Sequence, residues 1–333
     1  MKTKFISEIA SSHKGRKKIL EDLSIKHLKT KSNYLKYQIF KTKNLYTKNN
    51  KNFKRFKKIE INYKDWNKVI NSFKNKTNLI LEPFDEESLN FCKKFKKKVF
   101  IKLPTTECDN LKLVKTAIIN FKKVFLNISG YKFETIKKIV DSKTVLKNKK
   151  KIILMYGFQS YPTKNSLLRF NLFDFFKKRG FKYGYADHSK HGINKNLIKS
   201  CKFAIFKKKC DYVEKHICEN ISTKPNDYIS SIEVEDFDNF LKELVKSKKN
   251  IFFKHAKRRS KEEKKYAVNM QKYASVTKNI NKHKILEFNN LKFLRSNIGK
   301  EGLLMIDMLG KKITAKINIK KGQFITEDMV IIK

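Results

Sequence analysis

Two histidines, His188 in GYADHSKHG and His216 in VEKHICEN, each close a short apolar run. If the two runs are neighbouring parallel strands, their backbones lie about 4.8 Å apart, and both imidazoles can meet one ion. Each histidine taken singly also fits a hydrogen-bonded structural residue. Taken together at matched strand ends, they equally fit a ligand pair for a divalent cation acting as a Lewis acid. Lys36 and Lys102 close two other apolar runs. A buried ammonium group is costly unless an anion meets it, so these lysines point to a phosphate or carboxylate, although the chain has many lysines to place. Glu8, Gln38, Glu107 and Asp187 also fall within or just after such runs, where acid-base or hydrogen-bonding side chains would be needed.

Something must bring these run ends together. The strand candidates are residues 5–9, 34–40, 79–83, 99–103, 124–128, 152–157, 183–188 and 212–217. Stretches with helical apolar spacing, such as 87–97, 131–146 and 194–208, separate most of them. Eight strands alternating with helices predict an α/β fold of the (β/α)8 TIM-barrel type. A doubly wound open sheet is the alternative, but no Gly-x-Gly-x-x-Gly run follows the first strand. In such barrels the C-terminal strand ends form the active-site face, which is where the polar residues fall.

The pattern changes near the C-terminus. Residues 254–265, KHAKRRSKEEKK, are almost wholly charged and predict a linker after a catalytic barrel at 1–253. In the remaining unit, 266–333, two segments resemble each other at an offset of 39 residues, matching Ile280 with Ile319, Ile285 with Phe324 and Leu291 with Val330. That repeat predicts a small β-rich domain with internal pseudo-symmetry.

The formal charge of +48 would ordinarily suggest a nucleic-acid partner. Only 7 of the 79 basic residues are arginine, however, and lysine is spread along the whole chain. Proteins that read bases or grip phosphates favour arginine's planar fork, so base-compositional drift explains the charge better and no specific nucleic acid is expected. The five cysteines show neither a CxxC pair nor zinc-like spacing, and read as buried thiols. No apolar run approaches a membrane span, and Glu8, Ser11 and His13 interrupt any signal-peptide core. The expected location is cytoplasmic.

Seven segments, in order and in spacing, resemble the sialic acid synthase family: SEIASSHKG, LKYQIF, EPFDEESLNFCKKF, KLPTTECDN, QSYPT, GYADHS and VEKHI. The paired C-terminal segments resemble that family's antifreeze-like (SAF, β-clip) domain, so the likeness spans nearly the whole chain. The resemblance implies that phosphoenolpyruvate condenses with an N-acylated hexosamine such as N-acetylmannosamine, releasing phosphate. His188 and His216 match the family's metal ligands, for manganese or magnesium. Lys36, Gln38, Lys102 and Thr105 match positions that hold phosphoenolpyruvate, with Ser129, Gln159 and Asp187 as further substrate contacts. Glu8, Glu107, Tyr161 and Asp227 match residues around the acceptor sugar and the reacting centre. Arg295, in FLRSNIG, matches an arginine that the C-terminal domain sends into a partner's site, implying a domain-swapped homodimer.

The departures from the family pattern fall on substrate contacts. Ala186 replaces a serine, Ile128 takes the place of another, Gln159 stands where asparagine or serine is usual, and Lys14 and Tyr228 replace further polar positions. Reaction type is therefore expected to carry over better than substrate. A legionaminic or pseudaminic acid synthase, or a synthase using a 6-phosphorylated sugar, is the nearest alternative. A non-catalytic basic nucleic-acid-binding protein is the alternative from another class, and an enzyme whose turnover has been lost to drift is a third.

Overall fold

Strands buried on both faces need apolar side chains on both, and the short runs of this chain supply them. In the computed structural model, which describes residues 2–158, 161–246, 251, 253–296 and 298–333, they form β1 (Lys4–Glu8), β2 (Tyr34–Ile39), β3 (Asn78–Pro83), β4 (Val99–Leu103), β5 (Val124–Asn127), β6 (Ile152–Tyr156), β7 (Lys182–Asp187) and β8 (Tyr212–Cys218). Each pairs in parallel with the next, and β1 pairs with β8, so the sheet closes into the expected (β/α)8 barrel. A short ninth strand, β9 (Ser231–Glu233), adds to β8.

Closure fixes the register on which the site depends. Glu8 lies opposite His216 across one seam and opposite Lys36 across the other, while Gln38 faces Glu82. Inward positions alternate along every strand. The lowest inward layer is apolar: Ile6, Tyr34, Ile80, Phe125, Ile153, Met155, Ala186 and Tyr212 form one buried cluster. One step toward the C-terminal ends the inward residues become charged.

The connecting helices begin where short polar side chains can cap them. Asp85 of the PFDEES run accepts from the Ser88 amide, with Glu86 and Glu87 in the first turn of the helix Glu86–Cys92. The predicted helix over 131–146 is two helices, Phe133–Val140 and Lys143–Leu146, because Ser142 accepts from the Val145 amide and starts a new one. The stretch 194–208 is a helix at Lys195–Lys202 that runs into a wider turn at Phe203–Lys207. Exposed lysines occur all around the barrel, among them Lys18, Lys54, Lys64, Lys112, Lys137, Lys177 and Lys199, so the charge is not gathered into one groove.

Residues 254–265 hold more structure than a solvated linker. Phe253 stacks on Phe203 at 5.0 Å, and the Ala256 amide donates to the Leu168 carbonyl. A helix then covers Lys261–Met270, burying Glu263 against Arg169 at 2.9 Å. The strands β10 (Lys272–Val276) and β11 (Leu291–Arg295) form one antiparallel hairpin, and β12 (Ile313–Ala315) and β13 (Val330–Ile332) another. One matched pair of the 39-residue repeat meets in space: Ile280 and Ile319 exchange both backbone hydrogen bonds at 2.8 Å, whereas Ile285 bridges Thr314 and Phe324 bridges Ser275. A separate apolar cluster, including Val276, Leu286, Met308 and Ile325, fills this unit.

The barrel interior leaves no room at Gly184. A methyl group built there would lie 2.6 Å from the Met155 sulfur and 2.8 Å from Tyr212 Cβ. Gly184→Ala should therefore lower unfolding stability by about 1–3 kcal/mol, the usual cost of overpacking. An unchanged denaturant midpoint would show that the layer can yield.

Candidate active site

Ten of the residues singled out in the sequence line a single cavity of about 310 Å³ at the C-terminal mouth of the barrel: Glu8, Lys36, Gln38, Lys102, Thr105, Tyr161, His188, His216, Asp227 and Arg295. At its base Lys36 and Lys102 are each 1% exposed. Lys36 Nζ lies 2.9 Å from Glu8 Oε2, 2.9 Å from Glu82 Oε2 and 3.0 Å from Glu214 Oε1. Lys102 Nζ lies 2.6 Å from the same Glu214 oxygen and 3.5 Å from Glu82. Glu82 and Glu214 did not emerge from the sequence reading, yet parity marks them: Glu214 stands two residues before His216, and Glu82 lies beside Gln38.

Burial opposes every charge in this layer, and the pairing decides which survive. Burial works against ionisation of Glu8, but Lys36, His216 and Lys102 hold its carboxyl well below the usual range. Lys36 is likewise desolvated, yet Glu214, Glu8 and Glu82 hold its ammonium well above its ordinary value. At Glu214 burial outweighs the pull of Lys102 and Lys36, and its carboxyl is raised. Glu214 thus takes up a proton more readily than Glu8.

The two imidazoles sit above this layer with ring centroids 5.2 Å apart. His188 Nδ1 lies 3.0 Å from the Phe158 carbonyl, which can only accept, so Nδ1 carries the proton and Nε2 keeps its lone pair. Nε2 faces the Tyr161 hydroxyl at 3.5 Å. Burial, with His216 alongside, pushes the His188 imidazole down to about 3. His216 Nε2 lies 3.2 Å from Glu8 Oε2. Burial pulls its value down, but Glu8 prevails and the net shift is upward. Two imidazoles with Nε2 atoms turned to the cavity suit a divalent ion. Among the described residues no three His, Cys, Asp or Glu side chains converge on one point.

The rim provides neutral donors. Thr105 and Thr106, both 3% exposed, line the cavity with hydroxyl groups that have no hydrogen-bond partner among the described residues. Asn127, also missed from sequence, lines it from the end of β5. Asp227 holds the Ser11 amide at 2.9 Å from a left-handed backbone conformation. Arg295 is buried, donates to the Tyr46 hydroxyl at 2.9 Å, and lies 5.3–5.6 Å from the rings of Tyr46, Phe56 and Phe84. These contacts are with its own chain's barrel, whereas the resemblance places the arginine in a partner's site.

Three expected substrate or catalytic contacts are not cavity residues. Asp187 points outward because His188, its neighbour, points in; its carboxylate is taken up by Lys215, Ser189, Tyr185 and Ser200. The Ser129 hydroxyl is spent between Asn127 Oδ1 and the Gly157 amide. Glu107 follows Thr106 in the turn after β4 but faces Lys272 of the C-terminal unit, 2.5 Å away. Burial, only partly offset by Lys272, pushes its carboxyl up to about 7. Gln159 lies outside the described residues. Ala186 and Ile128, both departures from the family pattern, are buried apolar residues.

Fold and site together define a TIM-barrel protein whose mouth carries a buried layer of paired lysines and glutamates beneath two imidazoles. Residues 24–257, more than two thirds of the chain, match the model of the NeuB family. The chain belongs to the NeuB family. Comparison with curated proteins finds no match. Among solved structures, N-acetylneuraminic acid synthetase from Leptospira borgpetersenii is 21% identical, with TM-score 0.63 over 73% of this chain and 82% of the other. The spore coat polysaccharide biosynthesis protein spsE of Bacillus subtilis is 16% identical, with TM-score 0.78 over 99% and 96%. A truncated 3-deoxy-D-arabino-heptulosonate 7-phosphate synthase from Thermotoga maritima is 13% identical, with TM-score 0.55 over 76% and 89%. At these identities the likeness is one of fold. No helix among the described residues is long and apolar enough to cross a membrane.

The opposite shifts of the two imidazoles have a direct spectroscopic consequence. In metal-free protein the His188 ring should show neutral-imidazole carbon and proton shifts from pH 8 to pH 5. The His216 ring should titrate above 6.5, being protonated below that point and neutral above it. Stability follows the same signs. The His188 contribution is lost as pH falls below 6.5 toward 3, and that of His216 is lost as pH rises through its raised value. Two rings titrating together near 6.5 would contradict this electrostatic description.

Proposed function

We propose that this chain is a sugar-acid synthase that joins phosphoenolpyruvate to the aldehyde of an N-acylated hexosamine, releasing phosphate. The observation that carries the reading is the pair of buried ammonium groups, Lys36 and Lys102, at the base of a cavity rimmed by two imidazoles and two threonine hydroxyls that have no partner among the described residues. A phosphate and a carboxylate would take over both cations from their glutamate partners, and Thr105 and Thr106 would donate to their oxygens. Family membership supports the same reaction class, and the neighbouring folds include named synthases of sugar acids.

In the reaction C3 of phosphoenolpyruvate forms a bond to the aldehyde carbon, whose oxygen gains a proton and becomes a hydroxyl. Water adds at C2, and phosphate leaves with cleavage of the C2–O bond, giving a 2-keto acid. Lys36 and Lys102 neutralise the phosphoenolpyruvate anion and the departing phosphate. Glu8, ionised and fixed by Gln38 at 2.7 Å, orients the water. Tyr161, Asp227 and Arg295 surround the acceptor. A divalent ion, manganese or magnesium, held by His188 and His216 supplies Lewis acidity at the aldehyde oxygen when bound. Glu107, which does not line the cavity, is not assigned to the water.

The C-terminal unit is proposed to be the antifreeze-like domain, following the catalytic barrel. Domain exchange changes which chain supplies an element, not what the element touches. A swapped homodimer would therefore keep the contacts that Arg295 makes here. Mixing Arg295→Ala and His188→Ala chains should then restore about one working site per mixed dimer. Mixed dimers that stay inactive would assign Arg295 to its own chain's cavity.

Phosphate release from phosphoenolpyruvate should require an acceptor and be fastest with one member of a panel of N-acyl hexosamines and their 6-phosphates. Chelation should abolish it and manganese restore it. His188→Ala and Lys36→Met should each lower it at least 100-fold, as expected for lost Lewis acidity or anion stabilisation. Acceptor-independent release, or full activity in His188→Ala, would contradict the reading.

A further inference from the structure

The C-terminal hairpin meets the barrel mouth through two cations that its own register sets side by side. Lys272 opens β10 and is the cross-strand partner of Arg295 at the end of β11. Opposed residues of an antiparallel pair share a face, so both side chains descend onto the barrel together. Arg295 reaches the cavity, and Lys272 enters beside it. Lys272 is 7% exposed. Its Nζ lies 2.5 Å from Glu107 Oε1 and donates to the Phe84 carbonyl at 2.7 Å. Glu107 belongs to the turn after β4, and Phe84 directly follows β3. The Phe84 ring in turn lies 5.6 Å from the Arg295 guanidinium, so the two cations grip the same piece of the rim.

A buried ammonium group persists only with its counter-charge in place. A buried carboxylate such as Glu107 has the same need. Each is the other's partner, and they come from different structural units. The cross-strand pairing means that any shift of Lys272 is passed to Arg295 through the hairpin's backbone.

We infer that Lys272 is a positioning residue: by seating on Glu107 and the Phe84 carbonyl, it fixes the C-terminal hairpin over the cavity and so places Arg295 for the acceptor. The acceptor part of this inference rests on the synthase reading above, while the seating itself does not. Glu107 thereby acquires a task that needs no substrate contact, in keeping with its place outside the cavity lining.

The test uses the full-length chain with Lys272→Met, Lys272→Arg, Glu107→Gln and the Lys272→Met/Glu107→Gln double variant. The Arg295 amide donates to the Leu45 carbonyl at 2.9 Å, so its hydrogen exchange reports hairpin docking without any need for turnover. In Lys272→Met this amide should exchange at least tenfold faster while barrel amides such as Leu126 keep their protection. Lys272→Arg should retain most of the protection. In turnover, the KM for the acceptor should rise at least fivefold in Lys272→Met and that for phosphoenolpyruvate should not move. The double variant should be no worse than Lys272→Met, because the two residues act as one pair. Unchanged exchange at Arg295 in Lys272→Met, or additive effects in the double variant, would overturn the inference. Faster exchange in a chain without synthase turnover would uphold the seating and count against the synthase reading alone.

Discussion

Two lysines and three glutamates share one layer inside the barrel, each no more than 2% exposed. Burying such groups is expensive, and the cost is recovered only when the counter-charges are in contact and well oriented. The barrel must therefore deliver five side chains from β1, β2, β3, β4 and β8 to one level. A one-residue slip in any of these strands would turn its charged residue into the apolar shell outside. The seam between β1 and β8, which sets Glu8 opposite His216, is consequently as important to the site as any side chain in it.

This layer also explains the order of materials along the barrel axis. Below it lie Ile6, Tyr34, Phe125 and Tyr212, which exclude water from beneath the charges. Above it the mouth is finished by residues from outside the barrel: Tyr266 of the helix Lys261–Met270, and Arg295 of the hairpin. The layer has two cations against three carboxylates, and at Glu214 burial outweighs the lysines and raises the carboxyl. An incoming anion can thus take over the lysines as Glu214 accepts a proton. A chain with 79 basic residues uses very few of them this way; the rest are spread over helices, turns and the C-terminal unit.

Much of this was legible in the sequence, for identifiable reasons. The eight strands were readable because each is a short apolar run that must be buried on both faces. The C-terminal repeat was readable because Ile280 and Ile319 lie at a pseudo-symmetric crossing where each pairs with the other's backbone. Polarity at a strand end alone does not distinguish Asp187 from Glu82 and Glu214; parity along the strand does. Since His188 and His216 point inward, Asp187 and Lys215 must point outward and Glu214 inward. The break at Ser142 was marked by a capping residue inside an otherwise helical pattern. Lys272 carried no local signal: it is one lysine among many, and its partner Glu107 is 165 residues away in sequence. Tyr46 and Tyr266 likewise reach the cavity only through tertiary packing.

The central claim is that Lys36 and Lys102 form the seat of an anionic substrate, exchanging carboxylate partners for phosphate. Calorimetric titration of phosphoenolpyruvate, in two buffers of different ionisation heat, tests it most directly. The account predicts that the wild-type chain binds with uptake of protons, as Glu214 is neutralised. It also predicts that Lys102→Met binds at least tenfold more weakly, the loss expected for one charge-assisted hydrogen bond of about 1.5–3 kcal/mol. Equal affinity in the wild-type chain and Lys102→Met would contradict it.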